Sequence, residues 1–258
     1  EAREAARLRP DKSNIQSGLA ITLAGAGRYE EAKAPMAAAV ALWPESNFAR
    51  NWQANLHLAL REYAAARELA RSALQRDPAD LFAASVLVDA QLLGFGDIDG
   101  ARKTLQALPL RTTESSTVAQ LAARVEAWAR DYAAARSLVE QATAGSVMFG
   151  GNYSRGLELA PILQALGDTG AARAAYAQAR DELQARIPTG PDDALLHAAL
   201  ARALSGLGEH AEATRIAEAA ATMPTQYVLD QEQARLALAE VHMRAGRADD
   251  AVAGLREL

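Results

Sequence analysis

The sequence predicts an all-α protein, built from helix–turn–helix units that follow one another along the chain. Three observations support this fold class. Of the 258 residues, 63 are alanine, which is the best helix former and a poor strand former. Aromatic residues make up only 5%, and the short runs of valine, isoleucine and aromatic residues that a sandwich, a barrel or a doubly wound sheet needs are absent. The third observation is an internal repeat.

Seven short segments of the sequence align with one another, and each ends in an alanine. These alanines lie at positions 32, 66, 101, 135, 172, 213 and 251, so the spacings are 34, 35, 34, 37, 41 and 38 residues. An apolar pattern with helical spacing precedes and follows each segment. A proline, which cannot continue a helix, often closes the unit, as at Pro44, Pro78, Pro188 and Pro224. Each segment is therefore predicted to be the turn between two helices of a stacked array.

The repeat resembles the tetratricopeptide repeat, a helix–turn–helix unit of about 34 residues. The resemblance lies in the turn glycine, an aromatic residue after it, the alanine that opens the second helix and a small residue in the first helix. The aromatic residues are Tyr29, Tyr63 and Tyr132, and the small residues are Ala20, Ala54, Ala123, Ala160, Ala201 and Ala239. It implies a right-handed α-α superhelix of about seven repeats. In such repeats the first helix (helix A) lines a concave groove that binds peptides or protein segments, and the second helix is helix B.

The whole chain is predicted to be a single solenoid. Its repeats should be regular over residues 13–142, disturbed at a junction over residues 143–192, and present again over residues 193–258. The start matches the end of a helix B and the last helix B stops early, so both ends look truncated. Residues 226–258 also resemble, loosely, the tail unit of bacterial signalling proteins such as serine/threonine kinases, nucleotide cyclases and winged-helix regulators.

Local departures from the repeat are also predicted. Residues 94–97 should form a long turn, and the helix B after it should end near Pro109. The glycine-rich residues 143–154 should not form a regular helix. Pro161 should kink or delay a helix A, because an interior proline removes a hydrogen bond, and the next helix B should be long, from Gly170 to Ile187.

Composition and charge exclude several functions. The net charge is −5 and cysteine is absent, which disfavours nucleic-acid binding and excludes disulfides, thiolate metal sites and a cysteine nucleophile. No run of 18 apolar residues marks a membrane span, and there is no signal peptide. The expectation is a soluble bacterial protein of the cytoplasm or the periplasm, without a cofactor.

The histidines give the best sequence test for an enzyme. His57 and His242 take a helix A position that leucine holds in other repeats, and His197 and His210 also replace ordinary packing residues. No pair has the spacing of a metal motif. The glycines around Phe95 lie between two predicted helices, whereas a dinucleotide fingerprint follows a strand. No catalytic or metal-binding residue is therefore predicted, and an enzyme that uses residues 143–192 is the minor alternative.

The predicted partner-binding residues lie on the groove side of helix A. Amides and charged groups at helical spacing suit a peptide backbone or a carboxylate, and aromatic residues supply apolar anchors. The set comprises Asn51, Asn55, Ser85, Asp89, Gln120, Arg124 and Arg202, with Phe48, Trp52 and Trp128 as anchors.

The leading hypothesis is a non-catalytic interaction scaffold for a protein or peptide. One alternative is that these side chains are only packed or solvated residues of the repeat. Another is a structural module that forms homo-oligomers through its exposed ends, or a regulatory sensor region of a larger bacterial signalling protein.

Overall fold

The computed structural model describes residues 1–109, 116–142, 154–225 and 227–256. Within these residues the chain forms 15 α-helices, one short 3-10 helix at Ile187–Thr189 and no strand, so the predicted all-α class is confirmed. The helices are α1 (Ala2–Leu8), α2 (Ser13–Gly25), α3 (Tyr29–Leu42), α4 (Asn47–Ala59), α5 (Tyr63–Arg76), α6 (Leu81–Phe95), α7 (Ile98–Gln106), α8 (Ser116–Trp128), α9 (Tyr132–Gln141), α10 (Arg155–Ala165), α11 (Thr169–Arg186), α12 (Ala194–Leu207), α13 (His210–Thr222), α14 (Val228–Arg244) and α15 (Ala248–Arg256).

The chain divides into two compact units, unit 1 (Glu1–Arg130) and unit 2 (Asp131–Leu258). Even-numbered helices from α2 to α14 are the predicted A helices, and odd-numbered helices are the B helices. Within each unit, helices that follow one another pack together, and successive A helices also touch, as α4 touches α6 and α12 touches α14. The single solenoid, with boundaries at residues 142 and 192, stays a prediction.

The turns lie where the seven aligned segments predict them. The first residue of each segment has a positive φ, between 59° and 86°. Five of these residues are glycines, which reach this region without steric cost, and the other two are Arg61 and Arg130. The left-handed residue ends helix A and reverses the chain into helix B.

Alanine marks the helix crossings, as the repeat predicts. All seven landmark alanines, which end the aligned segments, are at most 1% exposed. The small helix A residues are at most 4% exposed, and four of the six share a buried cluster with the landmark alanine of their own repeat; the six are Ala20, Ala54, Ala123, Ala160, Ala201 and Ala239. A side chain without Cγ lets two helix axes approach closely, so many small contacts replace one thick core.

Aspartate side chains begin several of the B helices. In each, a carboxylate oxygen accepts a hydrogen bond from the backbone N–H three residues later, at 2.8–3.0 Å, in the N-cap geometry. These residues are Asp97, Asp131 and Asp168. Ser46, Asp80 and Asp193 cap A helices in the same way.

One of the predicted departures is wrong. Helix α6 continues to Phe95, so Gly94 is helical and residues 94–97 do not form a long turn. A Cβ on Gly94 would lie 2.4 Å from Cβ of Tyr63, and glycine therefore lets α6 lie close to α5.

The predicted lengths of two B helices agree with the structure. Helix α7 ends early, at Gln106, and α11 is long, from Thr169 to Arg186. Helix α10 begins at Arg155 and includes Pro161, so the proline does not delay the helix, and the kink stays a prediction. The predicted irregular segment 143–154 lies outside the described residues except for Ser154.

Candidate functional surfaces on the A helices

Asn51 and Asn55 lie one turn apart on α4 but differ in environment. Asn51 is only 7% exposed, and its Nδ2 donates a hydrogen bond to Oδ2 of Asp80, at 2.5 Å. Asp80 is the residue that caps α6, so this bond joins two successive A helices. Asn55 is half-buried and lines a small cavity with Trp52, Tyr29 and neighbouring apolar residues.

Ser85 and Asp89 lie one turn apart on α6. Ser85 is 3% exposed, and its hydroxyl donates to the carbonyl oxygen of Phe82, at 2.9 Å. Asp89 forms an ion pair with Arg124 of α8. Burial raises the pKa of Asp89 above its ordinary value, although the charge of Arg124 opposes this shift. The raised pKa indicates that desolvation of this carboxylate outweighs the attraction of the arginine.

Two of the three predicted aromatic anchors of unit 1, Phe48 and Trp52, lie next to each other. The ring of Phe48, which is 57% exposed, lies 6.3 Å from the ring of Trp52, and Trp52 lies 5.8 Å from Phe82 on α6. Trp128 is 48% exposed at the end of α8. Gln120, on the same helix, is half-buried.

Arg202 of unit 2 repeats the pairing of Arg124. Its guanidinium contacts the carboxylate of Glu240 on α14, at 2.7 Å. Arg202 and Glu240 both lie 11 residues before the landmark alanine of their repeat, at 213 and 251. Both predicted arginines are thus paired with a carboxylate of a neighbouring A helix, and a partner's carboxylate must compete with it.

Unit 2 contains a cleft of about 350 Å³. Arg202 is the one residue of its lining that was predicted from the sequence. The cleft is lined by side chains of α10, α12 and α14. Its lining residues are Ser154, Leu157, Glu158, Leu195, Ala198, Ala199, Arg202, Gln233, Leu236, Ala237 and Glu240. The signal was present in the sequence, because the lining residues of α14 fall on one helix face at positions 233, 236, 237 and 240.

A hydrogen-bonded network lies beside this cleft, at a smaller pocket that shares Leu157, Arg202 and Glu240 with it. The guanidinium of Arg244 donates to the hydroxyl of Tyr176, at 2.9 Å, and that hydroxyl donates to Oε1 of Gln164, at 3.2 Å. Arg244 also lies 5.5 Å from the centre of the Tyr176 ring, within cation–π distance. The network holds side chains of α10, α11 and α14 in place.

Two of the histidines, His57 and His242, are half-buried and buried side chains of A helices. His57 pairs through Nδ1 with Glu62, whose other oxygen lies 2.7 Å from Nζ of Lys33. Lys33 and His57 both lower the pKa of Glu62. His242 is 7% exposed on α14. In the described ranges no three histidine, aspartate or glutamate side chains form a group suited to a metal ion.

None of the helices in the described part of the chain combines the length and apolar character that a membrane crossing requires.

Comparison with known proteins identifies the repeat. Two family models, both described as tetratricopeptide repeat, match residues 2–80 and 57–125. No curated protein matches the chain significantly. These matches give no support to the expected context of a multidomain signalling protein.

Similar solved structures have the same fold. A thermophilic tetratricopeptide repeat protein of Thermus thermophilus has a TM-score of 0.57 and 23% identity over 74% of this chain and 98% of its own. A tetratricopeptide repeat protein of Parabacteroides merdae has a TM-score of 0.54 and 13% identity over 95% and 91%. Yeast Tom70 has a TM-score of 0.63 and 15% identity over 98% of this chain and 49% of its own, so this chain spans about half of the Tom70 chain.

Proposed function

This chain belongs to the tetratricopeptide repeat family, and on that premise we propose that it is a non-catalytic scaffold that binds a peptide or protein segment along its A helices. The observation that carries the proposal is the cleft of about 350 Å³ in unit 2. Its volume lies within the range of ligand-binding clefts in proteins. All of its lining residues that lie in helices belong to A helices.

The lining of the cleft suits a polypeptide. Alanines at positions 198, 199 and 237 leave room for a backbone to approach. Leu157, Leu195 and Leu236 supply apolar contacts, while Gln233 and Arg202 supply an amide and a guanidinium. Apolar walls with a few polar groups are typical of sites that orient a bound chain through hydrogen bonds.

A second surface is proposed on unit 1, from the predicted groove-side residues of α4, α6 and α8. The exposed or half-exposed members of this set supply contacts to a partner: Phe48, Trp52, Asn55, Asp89, Gln120, Arg124 and Trp128. Asn51 and Ser85 are buried and bonded within the chain, so their role in this proposal is to position α4 and α6.

The test begins with selection of binding peptides from a random library against the whole chain. Binding of the selected peptides is then measured for Arg202→Glu, and for Arg173→Glu, which reverses an exposed charge on helix B α11. We expect the first variant to weaken binding about ten-fold or more and the second to have little effect. Asn55→Ala and Arg124→Ala test unit 1 in the same way. Peptides whose affinity none of the A-helix variants changes would refute both proposed surfaces.

Self-association is the second candidate function, because the last helix pair leaves Leu236, Met243 and Leu255 about half exposed. Sedimentation equilibrium of the whole chain tests it. A dimer or polymer whose population rises with concentration favours self-assembly, and a monomer over the full range excludes it.

A further inference from the structure

A small polar pocket lies beside the cleft of unit 2 and shares Leu157, Arg202 and Glu240 with it. Side chains of α10, α11, α12 and α14 line this pocket. Its volume is about 20 Å³, which holds about one small polar group. A group that enters the pocket from the cleft is therefore the end of one side chain, since a main chain needs more room.

The repeat places three lining residues of the pocket at one level of the A helices. Pro161, Arg202 and Glu240 each lie 11 residues before the landmark alanine of their repeat, at 172, 213 and 251. They belong to the successive A helices α10, α12 and α14. Ser205 lies three residues beyond Arg202, and Arg244 lies four residues beyond Glu240, which is about one helical turn. Equivalent positions of three neighbouring repeats thus form the pocket.

Pro161 leaves a backbone acceptor at this level. It is an interior residue of α10, and in an α-helix the N–H of residue 161 donates to the carbonyl oxygen of Leu157. Proline has no N–H, so this carbonyl lacks its helical donor. Helical carbonyl groups point towards the C-terminal end of their helix, and Leu157 and Pro161 both line the pocket. The carbonyl oxygen is therefore directed to the level of Arg202 and Glu240.

Ser205 supplies a buried hydroxyl to the pocket. The residue is 3% exposed, and its Oγ has no hydrogen-bond partner in the described part of the chain. Such a group costs free energy unless it is satisfied. Alanine holds the equivalent position in two other repeats, as Ala24 and Ala127, so the fold does not need a hydroxyl here. The hydroxyl of Ser205 therefore indicates a ligand group at this point.

Two guanidinium groups supply hydrogen-bond donors. Arg202 contacts Glu240 through Nε, at 2.7 Å, and Arg244 donates to the hydroxyl of Tyr176, at 2.9 Å. Tyr176 is 2% exposed, so its hydroxyl holds Arg244 in a fixed position. A guanidinium has five N–H donors, and both arginines therefore have donors beyond these contacts.

On the basis of the peptide-binding function proposed for the cleft, we propose that this pocket selects its ligand by the side-chain amide of a glutamine or asparagine. The main chain of the bound segment lies in the cleft, and the amide projects into the pocket. Its oxygen accepts hydrogen bonds from Ser205 and Arg244. Its nitrogen donates to the carbonyl oxygen of Leu157 and to the carboxylate of Glu240.

Other side chains match these groups less well. A carboxylate cannot donate to the carbonyl oxygen of Leu157, and the like charge of Glu240 opposes it. An ammonium group meets two guanidinium groups of its own sign. An apolar end leaves the hydroxyl of Ser205 and the carbonyl oxygen of Leu157 unpaired. A primary amide has two donors and an acceptor and carries no charge, so it serves both kinds of group in the pocket.

The test uses the whole chain and three random peptide libraries that differ only in their fixed central residue. This residue is glutamine or asparagine in the amide library, glutamate in the second and leucine in the third. Peptides whose binding Arg202→Glu weakens are kept, so that each occupies the cleft. The tightest amide peptide is resynthesised with glutamate and with leucine at its centre.

Affinities are then measured by fluorescence anisotropy for the unaltered chain, Pro161→Ala and Ser205→Ala. The matched control is Ser137→Ala, which alters an exposed serine of helix B α9. Urea unfolding accompanies each variant. Its midpoint should not fall for Pro161→Ala, because alanine suits a helix interior far better than proline does.

We expect replacement of the central amide by glutamate or leucine to weaken binding about ten-fold or more, because polar groups of the pocket are then left unpaired. Pro161→Ala gives the carbonyl oxygen of Leu157 its helical donor and should therefore weaken the amide peptide about five-fold or more, but not the leucine peptide. Ser205→Ala should have the same selective effect, and Ser137→Ala should have none.

The same measurements separate this proposal from the function of the cleft. Peptides that occupy the cleft and bind equally well with an amide, glutamate or leucine would leave the cleft function intact and overturn the amide pocket. Tighter binding of the glutamate peptide would also overturn it, because the pocket would then be an anion site. So would an amide peptide whose affinity neither Pro161→Ala nor Ser205→Ala changes. If no library yields a peptide that Arg202→Glu weakens, both proposals are wrong.

Discussion

Arg61 and Arg130 hold a backbone conformation that glycine holds at the other five repeat turns. Their φ angles are 59° and 60°. In this region the Cβ of an L-residue approaches the following carbonyl oxygen, at a cost of about 1–2 kcal/mol. The repeat geometry therefore imposes the same turn whether or not the local sequence favours it.

Replacement of Arg61 by glycine should therefore stabilise the protein. We expect Arg61→Gly to raise the free energy of unfolding by about 1 kcal/mol, since glycine removes the Cβ strain but adds freedom to the unfolded chain. Urea unfolding followed by circular dichroism measures the change. The converse variant Gly167→Ala, at φ 80°, is the control and should be destabilised. If both variants shift the urea midpoint in the same direction, the explanation from φ is wrong.

The pair of Asp89 and Arg124 predicts a particular dependence of stability on pH. Because the pKa of Asp89 is raised in the folded protein, the folded state holds its proton more firmly than the unfolded state does. The contribution of Asp89 to stability is therefore complete below the ordinary aspartate pKa of about 3.9 and falls as pH rises through the folded pKa.

Comparison with Asp89→Asn isolates this effect. Relative to the variant, the unaltered protein should lose stability as pH rises from about 3.9 towards neutrality. Urea midpoints at a series of pH values provide the measurement. A parent protein that instead gains stability over the variant with rising pH would show that attraction by Arg124 dominates desolvation. The variant also leaves Arg124 unpaired and should strengthen binding of a partner carboxylate to this surface.

At the scale of elements, the recurring alanines allowed the helix pairs to be predicted. Each landmark alanine and its helix A counterpart identify a crossing, and the burial of Ala66 and Ala54, both 0% exposed, follows from that geometry. Side-chain partners were less predictable. The spacing places Asn51 on a helix face but contains no information on the distance to Asp80, which lies 29 residues away.

The cleft of unit 2 was predictable only in part for the same reason. Arg202 and Gln233 lie on different A helices, and they come together in one cleft. Helical spacing identifies the face that each residue occupies, whereas the cleft depends on how α10, α12 and α14 pack. The helical conformation of Gly94 was not predicted. Gly94 leaves room for Tyr63, and this tertiary contact overrides the local preference of glycine for a turn.

The crossings should tolerate no larger side chain. Ala66→Leu inserts three carbon atoms where α5 packs against α4 and α6, and we expect it to lower the free energy of unfolding by about 1–3 kcal/mol or more. The matched control Ala64→Leu alters an exposed alanine of the same helix and should change stability by less than about 0.5 kcal/mol. Thermal and urea unfolding provide the measurement, and equal effects of the two substitutions would show that the crossing is not tightly packed.

At the scale of the whole molecule, stability arises from a series of local interfaces. The buried apolar clusters of the described residues each join no more than four successive helices. One joins α2, α3 and α4, and another joins α11 to α14. In a repeat array of this kind, stability is approximately the sum of repeat terms and nearest-neighbour interface terms. A defect at one crossing should therefore weaken its own neighbours first.

Hydrogen exchange of Ala66→Leu tests this expectation, because amide protection reports local opening as well as global unfolding. Exchange should accelerate in α4, α5 and α6, which contain the cluster around Ala66. The amides of α12 to α14 should keep nearly their original protection. Ala213→Leu, at the equivalent position of unit 2, should produce the converse pattern, while Ala64→Leu should change neither. Uniform acceleration in both units by either substitution would require one cooperative core, which is incompatible with stability that is summed from neighbouring repeats.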